Sequence, residues 1–177
     1  YGLPESFACP ATDMSDNGVY VMYTSASGHL SLNVVYAEKA GTSDGIHSLD
    51  TVSDSGYVCR VGISADGNRV IAVECRTGPD GDKRSEIRSY TEGSNGWYSD
   101  MSYTIDGFVR HLSISANGRY AIVGTGSGDG TNGLHLFDLD SNENHLVWTY
   151  GAGTTADGVD ISRNGDYIVA NIRDNST

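Results

Sequence analysis

The stretch ISADGNRVIAV, Ile63 to Val73, decides how this chain of 177 residues folds, because it is written four times. MSDNGVYVMY begins at Met14, ISANGRYAIV at Ile114 and ISRNGDYIVA at Ile161. Each copy is an apolar residue, Ser, a variable residue, Asp or Asn, Gly, and then a β-rich run. Asp-Gly and Asn-Gly tolerate positive φ and make tight turns between strands. The motif glycines fall at Gly18, Gly67, Gly118 and Gly165, at spacings of 49, 51 and 47. A period of that size marks a repeat architecture.

The third period reads most clearly. FVRHLSIS (Phe108 to Ser115) is a strand, and Ala116-Asn117-Gly118 turns the chain. RYAIVGTG (Arg119 to Gly126) is a near-continuous apolar run of the kind buried on both faces. GLHLFDLD (Gly133 to Asp140) alternates, and LVWTYG (Leu146 to Gly151) supplies a fourth strand. Nothing in the period repeats at helical spacing. Four antiparallel strands in just under fifty residues, repeated, predict an all-β fold, a β-propeller of four-stranded antiparallel blades. Trp97 and Trp148 each stand 30 residues after a motif glycine, in the predicted outer strand. An aromatic at the same place in successive blades is expected to pack one sheet against the next.

With those residues in place, the pattern ISADG-x-x-V-I-A-V followed by LHLFDLDSNEN-x-LVWTYG resembles the PQQ-like, quinoprotein-type β-propeller repeats, which are related to WD-repeat propellers. That family repeats an Asp, a Thr-Gly and a later Trp in each blade. Asp140 and Trp148 keep the spacing, with Glu143-Asn144 in place of Thr-Gly; Gly93 and Trp97 fit in the second blade, with Ser89 in place of the Asp. The resemblance implies a propeller fold over nearly the whole chain. Its blades are expected at residues 7–52, 57–105, 108–151 and 157–177, the last holding only its first two strands. About three and a half blades leave three arrangements open. The chain is part of a larger propeller, it is completed in trans by strand addition from another chain, or it closes as a small ring.

Composition limits the function classes. The formal charge is −12, and Lys39 and Lys83 are the only lysines among 11 basic side chains. Phosphate contacts need a basic surface, so nucleic acid is excluded as a partner, and anionic lipid is disfavoured for the same reason. No apolar run approaches the roughly 18 residues of a membrane span. Tyr1 reads as a mature N-terminus or the edge of a fragment. Few lysines, much Ser, Thr and Gly, and a sequon at Asn175 that would carry a glycan point to an extracellular or cell-surface protein.

Three cysteines leave at least one unpaired within the chain. Cys59 and Cys75 stand eight residues before and eight after Gly67, so they are expected to face each other across two strands as a disulfide, the alternative being two reduced core thiols. Cys9 lies at nearly the same depth in the first blade. GDGTNG (Gly128 to Gly133) matches a dinucleotide-binding spacing, but a strand follows it where a helix N-terminus must hold the pyrophosphate. DLDSNEN places Asp138, Asp140 and Asn142 at alternate positions, a weak calcium candidate set in a turn that lacks the later glycine and glutamate of a calcium loop. Asp80, Asp82 and Glu86 form a similar acidic stretch. His29, His47, His111, His135 and His145 are scattered, and no nucleophile elbow occurs.

No catalytic or cofactor-binding residue stands out, and calcium is the one cofactor left open. The sequence therefore predicts a non-enzymatic scaffold or interaction module that binds a protein partner or itself, through its unfinished edge or through the loops Gly41–Gly45, Gly78–Lys83 and Gly126–Gly133. Part of a quinoprotein-type dehydrogenase propeller, with PQQ and calcium, is the alternative that the resemblance implies.

Overall fold

The computed structural model describes residues 12–26, 29–36, 46–52, 56–78, 80–126, 133–151 and 153–174. Within them the chain is all β, without a helix. The first sheet is β1 (Thr12–Met14), β2 (Val19–Ala26), β3 (His29–Tyr36) and β4 (Ile46–Val52). The second is β5 (Gly56–Ile63), β6 (Arg69–Thr77), β7 (Lys83–Gly93) and β8 (Gly96–Asp106). The third is β9 (Phe108–Ile114), β10 (Tyr120–Gly126), β11 (Leu134–Asp138) and β12 (Leu146–Tyr150). β13 (Thr154–Ile161) and β14 (Ile168–Asp174) form a two-stranded fourth sheet. Strands pair antiparallel in chain order within every sheet.

The repeated motif builds the turn between the first two strands of each sheet, and the same bonds recur in all four. The serine hydroxyl donates to the Asx side chain two residues on: Ser15 to Asn17 at 2.5 Å, Ser64 to Asp66 at 2.6 Å, Ser115 to Asn117 at 2.7 Å and Ser162 to Asn164 at 3.0 Å. That hydroxyl also accepts the amide that opens the next strand, from Val19, Arg69, Tyr120 and Tyr167 at 2.9–3.0 Å. The glycine amide returns to the serine carbonyl at 2.9–3.1 Å, with φ between 72° and 83°. Ser15, Ser64 and Ser115 are buried, so the short polar side chain satisfies backbone groups that water does not reach.

Successive turns interlock. The Asp16 amide donates to the Ala65 carbonyl and the Ala65 amide to the Ala116 carbonyl, both at 3.0 Å. A Cβ on Gly67 would lie 2.8 Å from Val19 Cγ2, and one on Gly118 would lie 3.2 Å from Ser64 Cβ. The motif glycine thus answers two demands, a left-handed backbone and close approach of the preceding turn.

Apolar side chains between the sheets make three cores. Leu32 and Val34 meet Val70, Ala72 and Tyr90 between the first and second sheets. Ile71, Val73 and Ile87 meet Ala121, Val123 and Phe137 between the second and third. Ile122, Leu134 and Leu136 meet Ala156, Val159 and Ile161 between the third and fourth. Alternate residues of β6 and β10 therefore face opposite neighbours, which is why both strands read as unbroken apolar runs.

The row of sheets curves. Arg163, in the turn of the fourth sheet, pairs with Asp16, in the turn of the first, at 2.8 Å. Sheets packed in a straight stack at about 10 Å spacing would hold those turns on the order of 30 Å apart. Both side chains are more than two-thirds exposed, so the pair contributes little stability and serves as a measure of the curvature.

Candidate functional site

The charged groups of the second and third sheets are sorted into two networks. On the face of the second sheet that looks toward the first, Arg76 bonds Glu74 at 2.7 Å and Glu86 at 3.0 Å, and Arg88 bonds Glu86 at 2.8 Å. Ser102 donates to the same Glu86 carboxylate at 3.0 Å. Burial works to raise the Glu86 pKa, but the bonds from Arg88 and Ser102 outweigh it and hold the group below its ordinary value. The second network staples the second sheet to the third. Arg69 reaches Asp140 at 2.7 Å, Asp100 at 3.3 Å and the Gly118 carbonyl at 3.3 Å. Thr91 donates to Asp100 at 2.6 Å, and Ser89 donates to it as well.

These networks decide what becomes of the calcium candidates. Asp138 is gripped by Arg119, with Nη2 at 3.0 Å and Nε at 3.3 Å, and it also accepts the Asp140 amide at 3.1 Å. The Arg119 bonds hold the Asp138 pKa below its ordinary value. Asp140 goes to Arg69, and Asn142 is exposed. Among the described residues no three His, Cys, Asp or Glu side chains come together to hold a metal ion. The arrangement carries a pH consequence. A carboxylate with a depressed folded-state pKa stabilises fully above its unfolded value, about 3.9 for Asp and 4.3 for Glu. That contribution disappears as the pH falls through the folded value. The native chain is therefore expected to lose Tm steeply below about pH 4, and Asp138→Asn is expected to flatten that acid limb in a melting series.

The two tryptophans do not share a role. Trp97 packs into the core between the first and second sheets and donates to the Tyr36 hydroxyl at 3.2 Å. Tyr36 in turn donates to Glu92 at 2.5 Å. Burial and the Glu92 bond raise the Tyr36 pKa, so the phenol stays protonated and the relay keeps one direction. Trp148 is 37% exposed and belongs to none of the three cores, contrary to the sequence expectation. Register explains it. Trp97 pairs with Glu92 and shares the Tyr90 face, toward the preceding sheet. Trp148 pairs with Leu136 and shares the face toward the fourth sheet, which has two described strands. Register shifts between Ser89 and Tyr90 and between Leu136 and Phe137 separate the two positions, and a one-residue slip reverses every side chain after it.

A register shift also marks the same place in three first strands. It falls between Val58 and Arg60, between Val109 and His111, and between Ala156 and Gly158. The residues set there are Cys59, Arg110 and Asp157, each eight positions before its motif glycine. Neighbouring first strands then bond one another through side chains. Arg60 donates to the Arg110 carbonyl at 2.7 Å, Arg110 pairs with Asp157 at 3.5 Å, and Ser113 donates to Asp160 at 2.8 Å. Sequence reading missed this line of contacts. The regular offset from the motif glycine was its only signal.

Cys75 is disulfide-bonded and fully buried, with Ser85 Oγ at 3.5 Å. The side chain of Cys59 and all of Cys9 lie outside the described residues. On the backbone register Tyr57 stands opposite Cys75, so Cys59 is two positions along the facing strand. Non-reducing peptide mapping is expected to recover Cys59 joined to Cys75; a Cys9–Cys75 peptide would refute that pairing. Of the expected loops, 41–45 and most of 126–133 lie outside the described residues, as does Asn175, whereas 78–83 is described except for residue 79. Asp80 and Asp82 are exposed there, and Asp82 pairs with Arg84 at 3.6 Å.

Comparison with solved structures bears on the fold. The chain is similar to part of a chain in the mitotic checkpoint complex, with a TM-score of 0.61 and 19% identity over 94% of this chain and 48% of that one. It is similar to a chain in the complex of KlAtg21 with the coiled-coil of AgAtg16, with a TM-score of 0.59 and 9% identity over 91% and 50%. Against prolyl oligopeptidase B from Galerina marginata the TM-score is 0.55, with 13% identity over 93% and 27%. The fold is of the propeller type. This chain spans about half the length, or less, of those solved chains. No protein-family model matches it, and neither does any curated protein.

Proposed function

We propose that this chain is a non-enzymatic interaction module, a propeller-type scaffold that works outside the cell by presenting rigidly held surfaces to protein. The observation that carries the reading is β14. Its counterparts β6 and β10 are buried on both faces, whereas β14 buries Ile168, Ala170 and Ile172 on one face and exposes Val169 at 68%, beside Tyr167 at 77%, on the other. The edge beyond it is open among the described strands, and an unpaired edge with an apolar face takes on further strands. Strands from the same polypeptide, from a second copy or from another protein meet that chemistry equally.

Three further observations support it. The charged side chains of the second and third sheets are spent on one another, which suits rigidity better than proton transfer. Two of the similar solved structures are protein complexes. The disulfide at Cys75 belongs to an oxidising compartment, in keeping with a secreted or cell-surface setting. The PQQ-like repeat remains the kind of propeller that Asp140, Gly93, Trp97 and Trp148 favour by spacing.

Light scattering of the native particle tests the reading. Mass in multiples of 18.8 kDa that rises with concentration, and falls toward one chain in Val169→Lys, is the result expected for self-association through β14. A monomer at every concentration removes self-association and leaves a different protein as the partner. Reduction of an artificial electron acceptor after loading with PQQ and calcium would replace the reading with a quinoprotein dehydrogenase.

A further inference from the structure

A groove of about 370 Å³ opens between the outer strands of the first and second sheets, away from β14. Its walls differ in chemistry. One is aromatic: Tyr98 is 54% exposed, and Trp97 and Tyr90 stand beside it. The other is polar, formed by Arg88, Ser99 and Ser102. Both aromatic positions are held before anything binds. A Cβ on Gly93 would lie 3.0 Å from Tyr98 Cε1, so the missing side chain lets that ring lie against the hairpin. Trp97 is fixed by its bond to Tyr36, which is fixed in turn by Glu92. Rings anchored in this way lose little freedom when a ligand stacks on them.

We propose that this groove binds a neutral sugar ring. Three features select that class. The aromatic wall matches the apolar C–H face of a pyranose, and the facing hydroxyls and guanidinium match its hydroxyl groups. An apolar plug would leave Ser99, Ser102 and Arg88 facing hydrocarbon, which is costly for polar groups removed from water. Charge removes the ionic alternatives. Glu74, Arg76, Glu86 and Arg88 alternate in sign and cancel, the chain as a whole carries −12, and the cation nearest the ligand is Arg88. An acidic ligand is repelled by the field of the whole protein and a basic one by the groove wall. The volume sits at the small end of the roughly 300–1,000 Å³ seen for ligand clefts, which suits one or two rings.

The protein holds two tryptophans, so Trp148→Phe leaves Trp97 as the sole indole reporter at the groove. Titrating that variant with glucose, galactose, mannose, N-acetylglucosamine and cellobiose is expected to give a saturable change in Trp97 emission with at least one of them. Dissociation constants are expected in the millimolar range and the same at low and high salt. Tyr98→Ala is expected to weaken binding by about tenfold and Tyr98→Phe to restore it. Ser102→Ala, on the opposite wall, is expected to weaken it as well, and melting curves check that each variant is folded. No saturable response to any neutral sugar overturns the proposal. So does tighter binding of glucuronate or glucosamine than of the parent sugars, saturation by cyclohexanol alone, or undiminished binding in folded Tyr98→Ala.

Discussion

Gly67→Ala is expected to destabilise the fold by about 3 kcal/mol and lower Tm by roughly 6–12 °C. Two costs combine. At φ +75 a side chain costs on the order of 1–2 kcal/mol in backbone strain. The added methyl also meets Asn17 Oδ1 and Val19 Cγ2 of the preceding sheet, each 2.8 Å away. Val19 is 6% exposed and belongs to the core between the first two sheets, so it has little room to withdraw. Overpacking of that kind costs about 1–3 kcal/mol. Gly81→Ala is the control. Its φ of +82 is equally left-handed, but nothing lies within 4 Å of the added carbon. Only the strain remains, and its Tm is expected to fall by a few degrees. Equal losses at the two sites would mean that the motif glycine serves the turn alone and that the sheets do not interlock through it.

Phe137→Ala is expected to cost about 3–5 kcal/mol, a large share of the roughly 5–15 kcal/mol that holds a domain together. Phe137 is fully buried among Ile71, Val73, Ala121 and Val123, and its ring meets Tyr103 edge-on with centroids 5.3 Å apart. Tyr103 lies on β8 and Phe137 on β11, so the contact joins the outer halves of two sheets. Removing the ring leaves a cavity at a seam between rigid elements, where collapse is limited. Phe137→Leu keeps most of the volume and is expected to cost under about 1.5 kcal/mol. Amide exchange after Phe137→Ala is expected to quicken in β8 and β11 before β13. Uniform quickening throughout would show that the four sheets unfold as one unit without a weaker seam.

The repeat itself was legible because its signals are local. Positive φ at Gly18, Gly67, Gly118 and Gly165 follows from residue type, as does the serine hydroxyl that reaches an amide four or five residues on. Strand order within each sheet follows from short turns between consecutive strands, because a tight turn leaves no other pairing. The apolar runs of β6 and β10 announced burial on two faces before any neighbour was known.

What only the tertiary structure decided depends on partners 49 to 71 residues away and on register shifts that composition does not encode. Asp140 looked like a metal ligand from its alternate-position neighbours, yet Arg69, 71 residues earlier, pairs with it. Trp97 and Trp148 share an offset from their glycines but not a face, since a shift in register reverses the side chains that follow it. The groove beside Tyr98 exists only where the outer strands of two separate sheets meet. Short-range chemistry is written in adjacent residues; the meeting of distant side chains is set by how far each sheet turns against the next, and that angle is a property of the packed whole.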